Sequence, residues 1–244
     1  LGQARHHIQM RFPISKITFV FAALAAGLTV GFAAEITTKT EIYAKRGDRE
    51  LEIHLHFPEG WKATDQRPGM IFFFGGGWKD GSPNQFLPQA AYFASRGMVT
   101  ARADYRVLSR DGVTPDQCVE DARTAVRWLK QNAAELGIDP DKMVSSGGSA
   151  GGHLAACTMI VDSVDAPDDD LSISPVPAAA VLFNPCLSFE PEKVKERLGD
   201  KEHLWMKISP ADNITEQTPP SIDLFGTEDQ LLILADLYRE RALE

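Results

Sequence analysis

Short apolar runs alternate with longer amphipathic stretches along most of the chain. The continuous apolar run Gly69–Phe74 is typical of a strand that is buried on both faces of a parallel sheet. In contrast, the segment 114–136 places apolar residues at helical spacing, and it predicts a long helix that ends at Gly137. The pattern therefore predicts strands and helices in alternation.

The same periodicities predict the other elements. Two alternating segments, 37–44 and 50–57, predict strands joined by a turn at 46–48. Further strands are predicted at 97–106, 142–145, 177–185 and 219–226, and further helices at 84–95, 153–161 and 231–242. This order predicts the α/β class, with a mostly parallel central sheet and helices on both of its faces.

One segment departs from the alternation. Residues 186–219 are charged and irregular, with one short helix predicted at 191–198. Leu204, Trp205 and Met206 stand out there as apolar residues within a loop. Two interpretations stay open: the loop packs its own hydrophobic residues, or it forms a lid or a wall of an acyl pocket.

Composition and charge narrow the function classes. The chain has 244 residues, enough for one sizeable α/β domain, and its net charge of −9 argues against nucleic acid or anionic membrane as a partner. Cys118, Cys157 and Cys186 are too few and too scattered for a disulfide framework or a zinc site, so free thiols are predicted. No metal and no cofactor are predicted.

The beginning of the chain has the pattern of an export signal. Arg11 and Lys16 precede an uncharged apolar run at 17–34 that ends in small residues, which predicts a signal peptide cleaved after Ala33. We therefore expect residues 1–33 to be upstream residues and signal peptide, and 34–244 to form the secreted or periplasmic domain, without stable membrane insertion. An uncleaved membrane anchor is the alternative.

Candidate chemistry begins with the pentapeptide G-x-S-x-G. Gly147–Gly151 follows a predicted strand and precedes a predicted helix, and Ser149 at its centre is the candidate nucleophile. The alternative is a glycine-rich helix start that only turns the chain.

Two other stretches supply the remaining parts of an acyl-transfer site. The glycines Gly75–Gly77, directly after a buried strand, let backbone N–H groups approach an oxyanion. Asp229, just past a later strand, can orient a histidine. A helix N-cap fits Asp229 equally well in isolation.

In this order, the GGGW, G-G-S-A-G-G-H and G-T-E-D stretches resemble the α/β-hydrolase family, in particular secreted esterases of the hormone-sensitive-lipase and acetylxylan/feruloyl esterase type. The resemblance implies that Ser149 is the nucleophile and Asp229 the acid. It also implies that the amides of Gly76, Gly77 and Ala150 form the oxyanion hole. We further predict that Trp78 and Trp205 bind substrate.

The chain departs from the family pattern at two positions. Phe74 stands where the HGGG motif has a histidine that helps to hold the loop, which puts the rigidity of the loop in question. Gly148 stands where hormone-sensitive-lipase relatives often carry an acid, which favours the carbohydrate-esterase side.

The histidine of the triad is missing from its expected place. The family order is Ser, Asp, His, but all six histidines precede Asp229. We therefore expect a C-terminally truncated sequence whose catalytic histidine, last strand and last helix lie beyond Glu244. His203, in the insert, is the alternative base.

The predicted function is hydrolysis of carboxylic esters through an acyl-enzyme on Ser149. The predicted substrates are small-molecule or polysaccharide esters, such as acetyl or feruloyl esters of plant polysaccharide.

We expect residues 34–244 alone to be nearly inactive, because the catalytic histidine is missing, and poorly soluble, because an apolar sheet edge would be unpaired. The alternatives are a prolyl-oligopeptidase-like peptidase, which usually has an aromatic residue where this chain has Ala150, and a non-catalytic binding protein on a hydrolase scaffold.

Overall fold

The computed structural model describes residues 10–12, 36–160, 162–188, 191–232, 235 and 239–240. Its strands are β1 Met10–Phe12, β2 Thr37–Arg46, β3 Arg49–Phe57, β4 Arg67–Phe73, β5 Val99–Ala103, β6 Ile138–Gly148, β7 Ala179–Phe183 and β8 Ser221–Gly226. Its α-helices are α1 Leu87–Ser95, α2 Leu108–Asp111, α3 Pro115–Gln131, α4 Ala133–Leu136, α5 Ala150–Thr158, α6 Pro191–Leu198 and α7 Trp205–Ile208.

The strands form one twisted layer in the order β1-β8-β7-β6-β4-β5-β3-β2. Strands β8, β7, β6, β4 and β5 run parallel to one another, and β3 and β2 continue the sheet in antiparallel orientation. The predicted α/β class with a mostly parallel sheet is confirmed. The carboxyl ends of the parallel strands therefore meet at one edge of the sheet, where ligands bind in open α/β folds.

Two apolar layers cover the sheet. Successive side chains of β4 point to opposite faces, so Ile71 and Phe73 join the larger core beneath α3 and α5. Met70 and Phe72 join a smaller core with Phe86 of the turn before α1. The uninterrupted apolar run in β4 is the consequence of this two-sided burial.

The helices agree with the predicted pattern apart from their ends. The helix predicted over 114–136 divides at Asn132 into α3 and α4, and α3 begins with a Thr114–Gln117 capping box. The helix predicted at 84–95 opens with the 3-10 turn Pro83–Phe86. The helix predicted at 231–242 lies mostly outside the described residues.

The beginning of the chain completes one edge of the sheet. Strand β1 runs parallel to β8, with Met10 opposite Leu224 and Phe12 opposite Gly226. Strand β1 lies within the predicted signal segment, so cleavage after Ala33 would expose the β8 edge. Among the described helices, none has the length and apolarity that a bilayer crossing requires.

The insert 186–219 packs onto the body of the domain. The short helix predicted at 191–198 is present as α6. Leu198 and Ile208 are buried in the larger core, and Trp205 is partly buried against it. Lys201 also donates hydrogen bonds to Asp116 and Thr114 at the start of α3. Met206 by contrast is 57% exposed, so the two interpretations of residues 204–206 both stay predictions.

Candidate active site

Ser149 occupies a sharp turn between β6 and α5. Its backbone has φ 53° and ψ −118°, a conformation that costs a residue with a side chain roughly 1–2 kcal/mol. Packing of backbone on backbone enforces the turn: a Cβ atom on Gly147 would lie 2.3 Å from the Gly151 oxygen, and one on Gly151 would lie 2.1 Å from the Phe73 oxygen. The strand, turn and helix predicted for a nucleophile elbow are all present.

The backbone of Ser149 is fixed while its side chain stays partly exposed. Its N–H donates to the Phe183 carbonyl at 3.0 Å, and its carbonyl accepts from the N–H groups of His153 at 3.0 Å and Cys186 at 3.3 Å. Ala150 is the first residue of α5, where N–H groups have no acceptor within the helix. Negative charge is favoured at this end of a helix.

The glycine loop lies directly beside this turn. A Cβ atom on Gly75 would lie 3.4 Å from Ser149 Cβ and 2.8 Å from the Gly148 oxygen. Gly76, Gly77 and Trp78 all have positive φ, at 136°, 63° and 59°. Within the described part of the chain, the N–H groups of Gly76 and Gly77 donate to no acceptor. The two amides are therefore available to a ligand beside Ser149.

An aromatic pair anchors the loop at the position where the HGGG motif has a histidine. The Phe74 ring is buried and stacks on Tyr105, with ring centroids 4.0 Å apart. The Tyr105 hydroxyl donates to the Phe74 carbonyl at 2.7 Å, and the Gln85 side chain accepts from the Gly75 N–H. These contacts supply the rigidity that the missing histidine put in question.

Trp78 is placed differently from its prediction. We predicted a contact with substrate, but the ring is only 6% exposed and packs edge-on against His153 at 5.2 Å. Its Nε1–H donates to His153 Nδ1 at 3.3 Å. The large apolar ring is driven into the core, so it acts as an anchor of the loop rather than a wall of the pocket. The predicted contact of Trp205 with substrate stays a prediction.

Asp229 follows β8 by three residues at the carboxyl edge of the sheet. Strand β8 is two strands from β6, a separation of roughly 10 Å between the strand axes. Asp229 Oδ1 accepts from the Leu231 N–H at 2.9 Å, which is the capping bond that the alternative reading expected. That bond uses one of the two carboxylate oxygens, so the carboxylate also has the capacity to orient a base.

None of the described histidines forms a hydrogen bond with Ser149 Oγ. His153 is fully buried and donates from Nε2 to the Ile208 carbonyl at 2.7 Å, and burial lowers its pKa to about 4. His56 accepts from Arg102, and burial together with that positive charge lowers its pKa to about 4. His54 pairs with Thr40, and His203 is exposed in the insert. His6 and His7 lie outside the described residues.

Asn184 lies at the same edge of the sheet as Ser149, and the sequence analysis did not single it out. It follows β7 with φ 39°, and its N–H donates to the Leu224 carbonyl at 2.6 Å. Trp78, Ser149 and Asn184 are the non-glycine residues with positive φ in the described chain, and they follow β4, β6 and β7. Such strained residues cluster at functional sites. The only signal in the sequence was a position directly after a buried strand.

The cysteines are buried free thiols, as predicted. Burial raises the thiol pKa of Cys118 and Cys157, so neither is a ready nucleophile. Across the residues that the structure describes, no group of three or more His, Cys, Asp or Glu side chains could hold a metal ion.

Curated proteins similar to this chain are esterases. Carboxylesterase NlhH of Mycobacterium tuberculosis is 30% identical over 111 residues, which are 45% of this chain and 34% of NlhH. Esterase LipQ of the same organism is 26% identical over 193 residues, covering 70% of this chain and 45% of LipQ. The chain thus spans less than half the length of these curated relatives.

Among solved structures, Thermogutta terrifontis esterase 2 is similar to this chain. It is 43% identical with a TM-score of 0.79, over 84% of this chain and 79% of that one. Its structures include forms phosphonylated by sarin and phosphorylated by paraoxon, and forms with propionate or butyrate bound. Residues 53–179 match the BD-FAE family model. The chain therefore belongs to the BD-FAE family, among the α/β-hydrolase esterases of the hormone-sensitive-lipase type.

Proposed function

We propose that this protein is a serine esterase that cleaves carboxylic esters through an acyl-enzyme on Ser149. One observation carries the proposal: a serine in a strained turn lies beside glycine-loop amides that have no acceptor among the described residues. The esterase relatives support the same reaction class.

The proposed reaction begins when Ser149 Oγ attacks the ester carbonyl carbon while a base takes its proton. The carbonyl electron pair moves onto oxygen, and the amides of Gly76, Gly77 and Ala150 stabilise that negative charge. The bond to the alcohol oxygen then breaks and the alcohol leaves with the proton. Water hydrolyses the acyl-enzyme by the same steps and releases the acid.

The base of this reaction is proposed to be a histidine that Asp229 orients and that the described part of the chain does not supply. Support comes from the described histidines, since His54, His56 and His153 form other contacts and His203 is exposed. Residues 34–244 expressed alone should then be nearly inactive, and natural downstream codons should restore the rate. Ordinary enzyme rates from residues 34–244 would overturn this and make His203 the first residue to mutate.

The nucleophile is tested with Ser149→Ala in the full-length protein. We expect the substitution to abolish p-nitrophenyl acetate hydrolysis and covalent labelling by paraoxon, while the circular dichroism spectrum and melting temperature stay close to wild type. Labelling that persists in the variant would rule out Ser149. Wild-type protein that binds substrate analogues without turnover would favour the non-catalytic alternative.

For the substrate, we propose short acyl groups on bulky alcohols, such as acetyl or feruloyl esters of plant polysaccharide. The propionate- and butyrate-bound forms of esterase 2 support small acyl groups. The small residue Ala150 after the nucleophile gives the peptidase alternative no support. We expect acetylated xylan to be a better substrate than long-chain triglyceride, and the reverse ranking would overturn the assignment.

We also propose export. The support is the basic start followed by an apolar run at 17–34. Mass spectrometry of the protein from its native host should find an N-terminus at or near Ala34, whereas an intact N-terminus in the membrane fraction would favour the anchor.

A further inference from the structure

The end of the glycine loop holds a conformation that its own sequence does not favour. Trp78 has φ 59°, although a bulky side chain disfavours the left-handed region. Such a conformation persists only where the surroundings over-determine it. The peptide bond between Gly77 and Trp78 carries the Gly77 carbonyl, so contacts that hold Trp78 fix that end of the loop and restrict the backbone of Gly77, whose N–H is proposed for the oxyanion hole.

The contacts of Trp78 include one to its backbone and one to its ring. Its carbonyl accepts from the Leu108 N–H at 3.0 Å, at the start of α2. Its indole Nε1–H donates to His153 Nδ1 at 3.3 Å, with the two rings perpendicular. The first contact fixes the backbone after Trp78, and the second fixes the ring.

The partners of His153 determine its protonation state. The Ile208 carbonyl can only accept, so the proton must lie on Nε2, 2.7 Å from that oxygen. The indole N–H of Trp78 can only donate, so Nδ1 must be unprotonated. His153 is therefore a neutral imidazole in a single tautomer, and burial keeps it neutral by lowering its pKa to about 4.

Trp78, His153 and Ile208 belong to three separate parts of the structure around the site. Trp78 ends the glycine loop, and His153 lies one turn after Ser149 on α5. Ile208 ends α7 in the insert and is fully buried. The chain of bonds from Trp78 through His153 to Ile208 thus ties the loop to the nucleophile helix and to the insert.

We propose that His153 is a positioning residue for ester hydrolysis, which holds the glycine loop through Trp78 so that the Gly77 N–H faces the oxyanion. The inference rests on the proposed serine-esterase function. A buried histidine that only fills the core would form the same contacts. A positioning role and a purely structural role are distinguished by the change in kcat when the two hydrogen bonds of His153 are removed one at a time.

Two substitutions of His153 separate its bonds. His153→Asn keeps an acceptor near the position of Nδ1 and loses the donor to Ile208. His153→Gln keeps a donor near the position of Nε2 and loses the acceptor for Trp78. Each removes one buried hydrogen bond of the imidazole, and the Ile208 carbonyl still accepts from Cys157 Sγ at 3.2 Å in the Asn variant, so we expect losses of melting temperature of the same order. Trp78→Phe removes the indole N–H and leaves His153 in place.

We expect His153→Gln and Trp78→Phe to lower kcat for p-nitrophenyl acetate and the rate of phosphorylation by paraoxon by about tenfold or more, because misplaced oxyanion donors act on the transition state. KM should change little. His153→Asn should keep kcat within about threefold of wild type, since the bond to Trp78 is retained. Combining Trp78→Phe with His153→Gln should add no further loss, because both remove the same bond.

The kcat values and labelling rates are measured at a temperature at which all variants are folded. Equal loss of kcat in the Asn and Gln variants, or wild-type kcat in Trp78→Phe, would overturn the positioning role. Trp78→Phe keeps the test decisive if a His153 variant does not fold. If Ser149→Ala retained paraoxon labelling, the proposed function itself would fail and the inference with it. If Ser149→Ala lost paraoxon labelling but the Trp78 and His153 variants kept the wild-type kcat, the positioning role of His153 would be refuted while the proposed function would stand.

Discussion

At the scale of single residues, the site depends on places where no side chain fits. Gly151 is surrounded by backbone: an added Cβ would lie 2.1 Å from the Phe73 oxygen and 2.3 Å from the Phe74 oxygen. Backbone atoms of a central strand cannot move aside as the end of a flexible side chain can. Close packing between β4 and α5 therefore requires glycine at these positions, and this requirement made the pattern around Ser149 recognisable in the sequence.

Replacing Gly151 with alanine should destabilise the fold. We expect Gly151→Ala to lower the free energy of unfolding by at least about 2 kcal/mol, because the new methyl group overlaps two carbonyl oxygens. Urea denaturation monitored by tryptophan fluorescence measures it. Gly226→Ala is the matched control, since its Cβ would meet nothing within 4 Å. Equal midpoints for the two variants would contradict the steric account.

At the scale of elements, ion pairs and buried apolar residues dock the irregular segments onto α3. Arg127 on α3 bonds to Asp165 and Asp169 in the segment after α5. Nearer its start, α3 receives Lys201 of the insert, whose ammonium lies 3.0 Å from Asp116 Oδ2 and 3.2 Å from Thr114 Oγ1. These long-range pairs were not predictable from periodicity, because the partners lie far apart in the sequence.

Removing the Lys201 contact should loosen the insert. We expect Lys201→Met to increase the rate of limited proteolysis between residues 191 and 208 several-fold, because about 1 kcal/mol of docking energy is lost with this ion pair between a partly exposed ammonium and a buried carboxylate. The global melting temperature should fall by only a few degrees. Lys207→Met is the control, since Lys207 is exposed and forms no ion pair with a described residue. Equal cleavage rates in the two variants would show that Lys201 does not hold the insert.

At the scale of the whole molecule, buried neutral histidines make stability depend on pH. His153 takes up a proton at about pH 4 in the folded protein, compared with about 6.5 when unfolded. Between these values the unfolded chain binds the additional proton, so stability rises with pH there. The contribution of His153 is therefore complete above about pH 6.5 and is lost as the pH falls towards 4.

This linkage predicts that the free energy of unfolding falls less steeply with decreasing pH in a variant that lacks the His153 imidazole. We expect the free energy of unfolding of wild-type protein to fall between pH 6.5 and 4.5, with a smaller fall in His153→Asn. Urea titrations at several pH values measure both slopes, and carboxylates that also titrate in this range contribute equally to each. Identical slopes would show that His153 does not carry the dependence.

The sequence by itself determined what depends on neighbouring residues. The strand and helix periods, the start of the long helix at Thr114, the glycine-flanked elbow at Ser149 and the glycine loop were all readable, because each is set by contacts within a few residues or by two-sided burial of a short run.

The tertiary structure alone decided what depends on residues that are distant in sequence. It turned Trp78 into the core against His153, stacked Phe74 on Tyr105, and placed β1 against the β8 edge. A local sequence pattern does not predict these features. The orientation of a side chain and the pairing of an edge strand depend on packing against residues that are distant in the sequence.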